Sequence, residues 1–162
     1  MAEAEACARS LTQEFPRHPF AWKVLAVVFK QTGRLRESLL PMQKAAELLP
    51  NDAEAHSNMG ATLKELGRLE DAEASLSRAI ALQPDYANAH YNLGNTLKEL
   101  NRLDEAEASY RQAIVLKSDL AEAHYNLANT LKDLGRLNEA EVSYGQAIAL
   151  NPDLAEAHYN LG

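Results

Sequence analysis

The pentapeptide Ala-His-Tyr-Asn-Leu occurs at Ala89–Leu93, Ala123–Leu127 and Ala157–Leu161, and Ala-His-Ser-Asn-Met stands at Ala55–Met59. Every step is 34 residues. Segments 87–120 and 121–154 agree at 24 of 34 positions, far beyond chance. A fixed period of this length marks a stack of small units, none of which can bury its apolar face alone. The period divides the chain into 19–52, 53–86, 87–120 and 121–154, the first copy being the most divergent. Residues 155–162 begin a fifth copy and stop in mid-helix, so the chain reads as a piece of a longer array.

Each unit spells two helices. In 87–120, Ala89, Leu93, Leu97 and Leu100 recur at helical spacing. Leu103, Ala106, Tyr110, Ala113, Ile114 and Leu116 form a second run. Both have the i, i+3/i+4, i+7 pattern of an amphipathic helix. Between the two runs Gly33, Gly67, Asn101 and Gly135 hold one equivalent position, as expected of a left-handed C-cap and tight turn. Asn51-x-x-Glu54, Asp119-x-x-Glu122 and Asp153-x-x-Glu156 have the form of capping boxes, and Asp85 keeps the cap without the carboxylate. Small residues fill one slot of the first helix (Ala26, Gly60, Gly94, Ala128) and two of the second (Ser38, Ala72, Ala106, Ala140; Ala45, Ala79, Ala113, Ala147). Larger side chains there would overpack a close helix crossing. The expected fold is all-α, an α-solenoid of antiparallel helix pairs. Residues 1–18, with Leu11, Phe15 and Pro16, read as the second helix of a truncated preceding repeat.

These residues carry a family resemblance. His124, Leu127-Ala128, Gly135, Ala140, Tyr144, Ala147 and Pro152 fill the slots of the tetratricopeptide-repeat pattern, a large residue, Leu-Gly, Gly, Ala, aromatic, Ala and Pro. The usual Trp of the first slot is Trp22 in one copy and His in four. The resemblance covers about 19–162. It implies a right-handed superhelix whose first helices line a concave groove that binds protein or peptide.

Composition narrows the function classes. A net charge of −7 and a pI near 5.2 disfavour phosphate binding, so no nucleic-acid partner is expected. Cys7 is the only cysteine, which rules out an intrachain disulfide. The acidic start Met-Ala-Glu-Ala-Glu-Ala does not resemble a signal peptide, and Val24 to Phe29 is too short to span a bilayer. A cytoplasmic protein without a membrane partner is the expectation. His56, His90, His124 and His158 fall one per repeat, about a helix pair or roughly 10 Å apart. That spacing cannot converge on one zinc ion at about 2.0–2.3 Å. No nucleophile–base motif or phosphate loop accompanies them, so no catalytic residue, metal or cofactor is expected.

The candidate binding residues lie on the first helices. Spacing places Tyr91, Asn95 and Lys98 on one stripe, repeated as Tyr125, Asn129 and Lys132. Lys30 and Lys64 extend the lysine row, while Ser57 and Ala61 interrupt the others. Beside it runs an asparagine row, Asn58, Asn92, Asn126 and Asn160, and Tyr159 opens the next stripe. An amide offers both a donor and an acceptor to a peptide backbone, tyrosine offers rigid contact area, and the lysines suit acidic groups. Asparagine in this slot also fits a purely structural role in packing the repeats. Both readings stand at this point. The two-carboxylate clamp of chaperone-binding members is not expected, because Lys23 is followed one turn later by Val27 rather than Asn.

Phrases such as Ser57-Asn58-Met59-Gly60 and Asn95-Thr96-Leu97-Lys98-Glu99 resemble the repeat arm of O-linked N-acetylglucosamine transferases. The opening, with Phe15-Pro16-Arg17 and Trp22-Lys23, resembles bacterial multi-repeat proteins that bear a transferase domain. That resemblance implies a substrate-recruiting arm. End-to-end self-association through uncapped repeats is the alternative of a different class.

Overall fold

The computed structural model describes residues 2–154. All regular structure among them is helical: α1 (Ala2–Glu14), α2 (Pro19–Gln31), α3 (Leu35–Leu48), α4 (Ala53–Glu65), α5 (Leu69–Leu82), α6 (Ala87–Glu99), α7 (Leu103–Leu116), α8 (Ala121–Asp133) and α9 (Leu137–Leu150). The partial copy at 155–162, with His158, Tyr159, Asn160 and the box Asp153–Glu156, lies outside the described residues in whole or part. The fold is the expected all-α arrangement of helix pairs. Two compact units are present, Met1–Gln83 and Pro84–Gly162.

In the first unit α2 packs on α3 and α4 on α5, with α1 against α2 and α3 against α4. Leu25, Val28 and Phe29 of α2 close on Ala8 of α1. In the second unit α6 pairs with α7 and α8 with α9, and α7 joins α8. Its core runs through Leu97, Ala106, Tyr110, Leu127, Leu131 and Tyr144. The small-residue slots are buried because two helix backbones approach there. A Cβ on Gly94 would stand 2.7 Å from Tyr110 Cδ1, and one on Gly60 2.6 Å from Leu76 Cγ.

The turn inside each pair is the same six-residue device. Gly33, Gly67 and Gly135 have φ of 73°, 72° and 76°, and Asn101 has 59°. With that residue left-handed, its N–H reaches the carbonyl three residues back, and the next N–H reaches five back. Arg34 N donates to Phe29 O at 2.9 Å, Arg68 N to Leu63 O at 2.9 Å, Arg102 N to Leu97 O at 2.9 Å and Arg136 N to Leu131 O at 2.8 Å.

The arginine side chains then tie this turn to neighbouring helices. Arg34 Nη1 donates to Glu5 at 2.6 Å and its fork engages Glu37, while Arg9 donates to the same Glu5 at 2.9 Å. Arg136 repeats the pattern with Glu107 at 2.5 Å and with Glu139, and Arg111 donates to Glu107 at 2.8 Å. Glu5 and Arg9 thus occupy, in α1, the places that Glu107 and Arg111 occupy in the second helix α7.

The helix starts differ from expectation. Asp52, not Asn51, is the N-cap of α4, its carboxylate accepting from Ala55 N at 3.0 Å. Tyr86 and Leu120 hold the N-cap positions of α6 and α8 with no side-chain cap, and Asp85 and Asp119 sit one residue earlier, in the connecting turn. A box motif one residue out of register leaves its acceptor beyond reach of the first-turn N–H groups.

The large residue at the start of each first helix has a different task. Trp22 Nε1 donates to Pro16 O at 2.8 Å, six residues back. His56 Nε2 meets Pro50 O at 3.3 Å, His90 Nε2 meets Pro84 O at 2.9 Å and His124 Nε2 meets Ser118 O at 3.2 Å. A carbonyl only accepts, so each of these nitrogens carries the proton. The residue latches the preceding loop to the helix, which is why Trp and His alternate in one slot.

Candidate functional site

The described stripe residues fall in both units, Lys30, Asn58 and Lys64 in the first and the others in the second. In the second unit most of the polar groups face one another. The Tyr110 hydroxyl donates to Asn95 Oδ1 at 2.8 Å. Asn126 Nδ2, arriving from α8, donates to the same oxygen at 2.9 Å and to the Tyr91 hydroxyl at 3.2 Å. The Tyr91 and Tyr110 rings lie 6.2 Å apart, tilted by 52°. Burial pushes the Tyr110 phenol well above its ordinary value, and the neighbouring Tyr91 and Glu99 add to the effect. One repeat on, Tyr144 donates to Asn129 Oδ1 at 2.6 Å and its ring lies 5.9 Å from that of Tyr125. Tyr91, Asn95, Asn126 and Asn129 are therefore held by internal partners. Asn92 is half-buried, and its backbone carbonyl accepts the Thr96 hydroxyl at 2.9 Å.

The lysine row is also drawn inward. Lys30 Nζ lies 3.8 Å from Glu65, and Lys98 Nζ 3.5 Å from Asp133, each pairing with an acid of the following repeat. Lys23 is bound to the capping carboxylate of Asp52. Burial opposes ionisation of Asp52, but Lys23 and the Ala55 N–H together hold its carboxyl below the usual range. Lys64 is half-buried and Lys132 exposed.

The first unit lacks the tyrosine–asparagine pair. Met42 and Leu76 stand where Tyr110 and Tyr144 do, and Val27 and Ala61 where Asn95 and Asn129 do. Between α2, α3 and α4 this leaves a groove of about 240 Å³. Its wall is apolar at Ala26, Val27, Met42, Ala45 and Ala55, and polar at Lys23, Lys30, Glu54 and Asn58. Val27 is 51% exposed there. Asn58 is exposed and makes no side-chain hydrogen bond among the described residues. Of this wall, sequence spacing singled out Asn58 and Lys30. Met42, Ala45 and Glu54 were missed, although the pair Val27/Met42 departs from Asn95/Tyr110 in the sequence itself. Among the described residues no group of three or more His, Cys, Asp or Glu could hold a metal ion. No described helix is long and apolar enough to cross a membrane.

Stacked helix pairs with a grooved first-helix face define a helical-repeat interaction module. The family model described as TPR repeat matches 62–101, 94–135 and 128–162, and that described as Tetratricopeptide repeat matches 42–74. The chain belongs to the tetratricopeptide-repeat family, whose members are typically non-catalytic interaction modules. Comparison with curated proteins returned no similar sequence. Among solved structures, MamA is similar at 22% identity and a TM-score of 0.86, over 94% of this chain and 89% of that one. YrrB, described as a TPR protein with an unusual peptide-binding site, gives 21% identity and 0.79, over 95% and 79%. PilF of Pseudomonas aeruginosa gives 21% and 0.81, over 88% and 65%. At such identities the likeness shows the fold alone.

Proposed function

We propose that this chain, built of repeats 19–52, 53–86, 87–120 and 121–154, binds an extended segment of another protein in the cytoplasm on its first helices. The groove between α2, α3 and α4 carries this reading. It is an apolar recess with exposed Val27 inside it and an unengaged amide, Asn58, in its wall. Apolar contact supplies most of the affinity of such a site, and a few placed polar groups set orientation. The peptide site named for YrrB, on the same fold, supports the class of ligand. Tyr91, Asn95, Asn126 and Asn129 of the second unit contribute rigidity, since their side chains are already paired. The finer reading, a repeat arm that recruits substrate for a glycosyltransferase, is supported by the resemblance carried by Asn95–Glu99 and its copies.

The test is a random-peptide display selection on the immobilised chain, run in parallel on Val27→Asn/Met42→Tyr. That variant copies the Asn95–Tyr110 pair into the first groove and fills it. Ala26 tolerates the change, as Ala128 stands beside Tyr144 in the core of the second unit. Peptides enriched on the wild type and lost on the filled variant support the reading. Equal enrichment on both, or none on either, rejects the groove as the binding site.

A further inference from the structure

The first groove and the filled junction of the second unit correspond position by position. Lys23, Val27, Met42 and Asn58 stand 68 residues before Tyr91, Asn95, Tyr110 and Asn126. In the second unit a phenol occupies the space beside the asparagine and accepts from its Nδ2 at 3.2 Å. In the first unit the same amide lines an open recess. At about 240 Å³ the recess is smaller than the roughly 300–1,000 Å³ pockets that take whole small molecules, and fits one bulky side chain.

Resting on the peptide-binding reading above, we infer that this groove takes a tyrosine side chain of the ligand, flanked in the ligand by a lysine or arginine. The ring lies on Val27 and Met42, and the hydroxyl accepts from Asn58 Nδ2, as Tyr91 accepts from Asn126. Charge selects the neighbour. Lys23 is compensated by Asp52 and Lys30 by Glu65. Glu54, in the groove wall, forms no ion pair among the described residues and is exposed. The uncompensated charge of the site is negative, on a chain of net charge −7 that steers cationic segments toward it. In this groove acidic ligands, which the lysine row alone suggested, are disfavoured once Lys23 and Lys30 are seen paired.

The experiment uses fluorescein-labelled eight-residue Gly/Ser peptides with a central Tyr-Lys, Phe-Lys, Ala-Lys or Tyr-Glu, titrated with the full chain by fluorescence polarisation. Tyr-Lys binds tightest, and Ala-Lys at least about tenfold weaker, through loss of the buried ring. Phe-Lys binds about two- to tenfold weaker, for one hydrogen bond. Asn58→Ala abolishes the Tyr/Phe difference, and Glu54→Gln abolishes the Lys/Glu difference. Both residues are exposed, and far-UV circular dichroism checks that each variant folds. Equal affinity for Tyr-Lys and Ala-Lys, or no binding of either, overturns the inference. The display selection separates the two failures: non-aromatic peptides lost on Val27→Asn/Met42→Tyr keep the binding reading and sink this one, whereas no selective enrichment sinks both.

Discussion

Tyr110 donates its hydroxyl to Asn95 Oδ1 at 2.8 Å, and Asn126 Nδ2 reaches the same oxygen at 2.9 Å, so one carbonyl joins three helices. Its two lone pairs are both used. Tyr110→Phe leaves the ring in place and removes one donor, at a cost of about 0.5–1.5 kcal/mol. Urea unfolding is expected to show a lower midpoint with an unchanged m-value.

The same phenol makes stability fall in alkali. Its folded pKa is raised above the ordinary 10.0 by burial, with Tyr91 and Glu99 contributing. A group raised in this way stabilises the fold fully below its unfolded pKa and loses that contribution as pH climbs through the folded one. The thermal midpoint is expected to fall above about pH 10, and less steeply in Tyr110→Phe.

Gly94 is required by crowding. With Tyr110 Cδ1 and Cε1 both 2.7 Å from a notional Cβ, the ring has to move. Ala128 in the next copy shows that one methyl is accommodated, so Gly94→Ala is mild. Gly94→Val is expected to cost about 1–3 kcal/mol by overpacking, read from the urea midpoint.

Gly135 is required by backbone geometry alone. Nothing lies within 4 Å of its notional Cβ, yet its φ is 76°. Gly135→Ala is expected to cost about 1–2 kcal/mol through the left-handed penalty. Asn101→Gly, at φ 59°, should raise the thermal midpoint.

The loop latch gives an exchange test. His124 Nε2 and Trp22 Nε1 bind the carbonyl six residues back, at 3.2 and 2.8 Å. His124→Trp should therefore preserve stability, while His124→Ala loses about 0.5–1.5 kcal/mol. Equal loss in both would mean that the slot needs an imidazole for some other reason.

Acid should lower the stability of the chain through the carboxylates paired with its turn arginines. Hydrogen bonds from Arg9 lower Glu5, those from Arg34 lower Glu37, and those from Arg136 lower Glu139. Depressed carboxyls stabilise the fold above their ordinary value of 4.5 and lose the contribution as pH falls through the lower folded values. A scan from pH 7 to 2 should be flat until about pH 5 and then fall. Because Glu37 and Glu139 are exposed and Glu5 only half-buried, 0.5 M salt should shrink the effect.

The turns were legible because a positive φ admits few residue types, and Gly33, Gly67, Asn101 and Gly135 are those types in one register. Helix faces were legible from spacing. The caps were not. A polar residue followed three places later by Glu suits Asn51 as a motif, but Asp52, at φ −89° and ψ 99°, aims its carboxylate at Ala55 N. The described stripe residues lie on the first helices α2, α4, α6 and α8. Their internal pairing escaped notice because Tyr110 and Tyr144 read only as core. The signal was present 15 positions apart: Asn95 with Tyr110 and Asn129 with Tyr144, against Val27 with Met42 and Ala61 with Leu76. The lysine pairing had a similar mark, an acid 35 residues beyond Lys30 and Lys98.

Arrays of this kind lengthen by duplication of 34-residue blocks, and positions 15 apart within a pair always travel in the same block. A copied block that carries Asn and Tyr brings its own stopper, and one that carries Val and Met brings its side of the socket, the next block supplying the counterparts of Ala55 and Asn58. Gene duplication alone thus relocates or multiplies the open recess along the chain, without selecting any new residue at the contact.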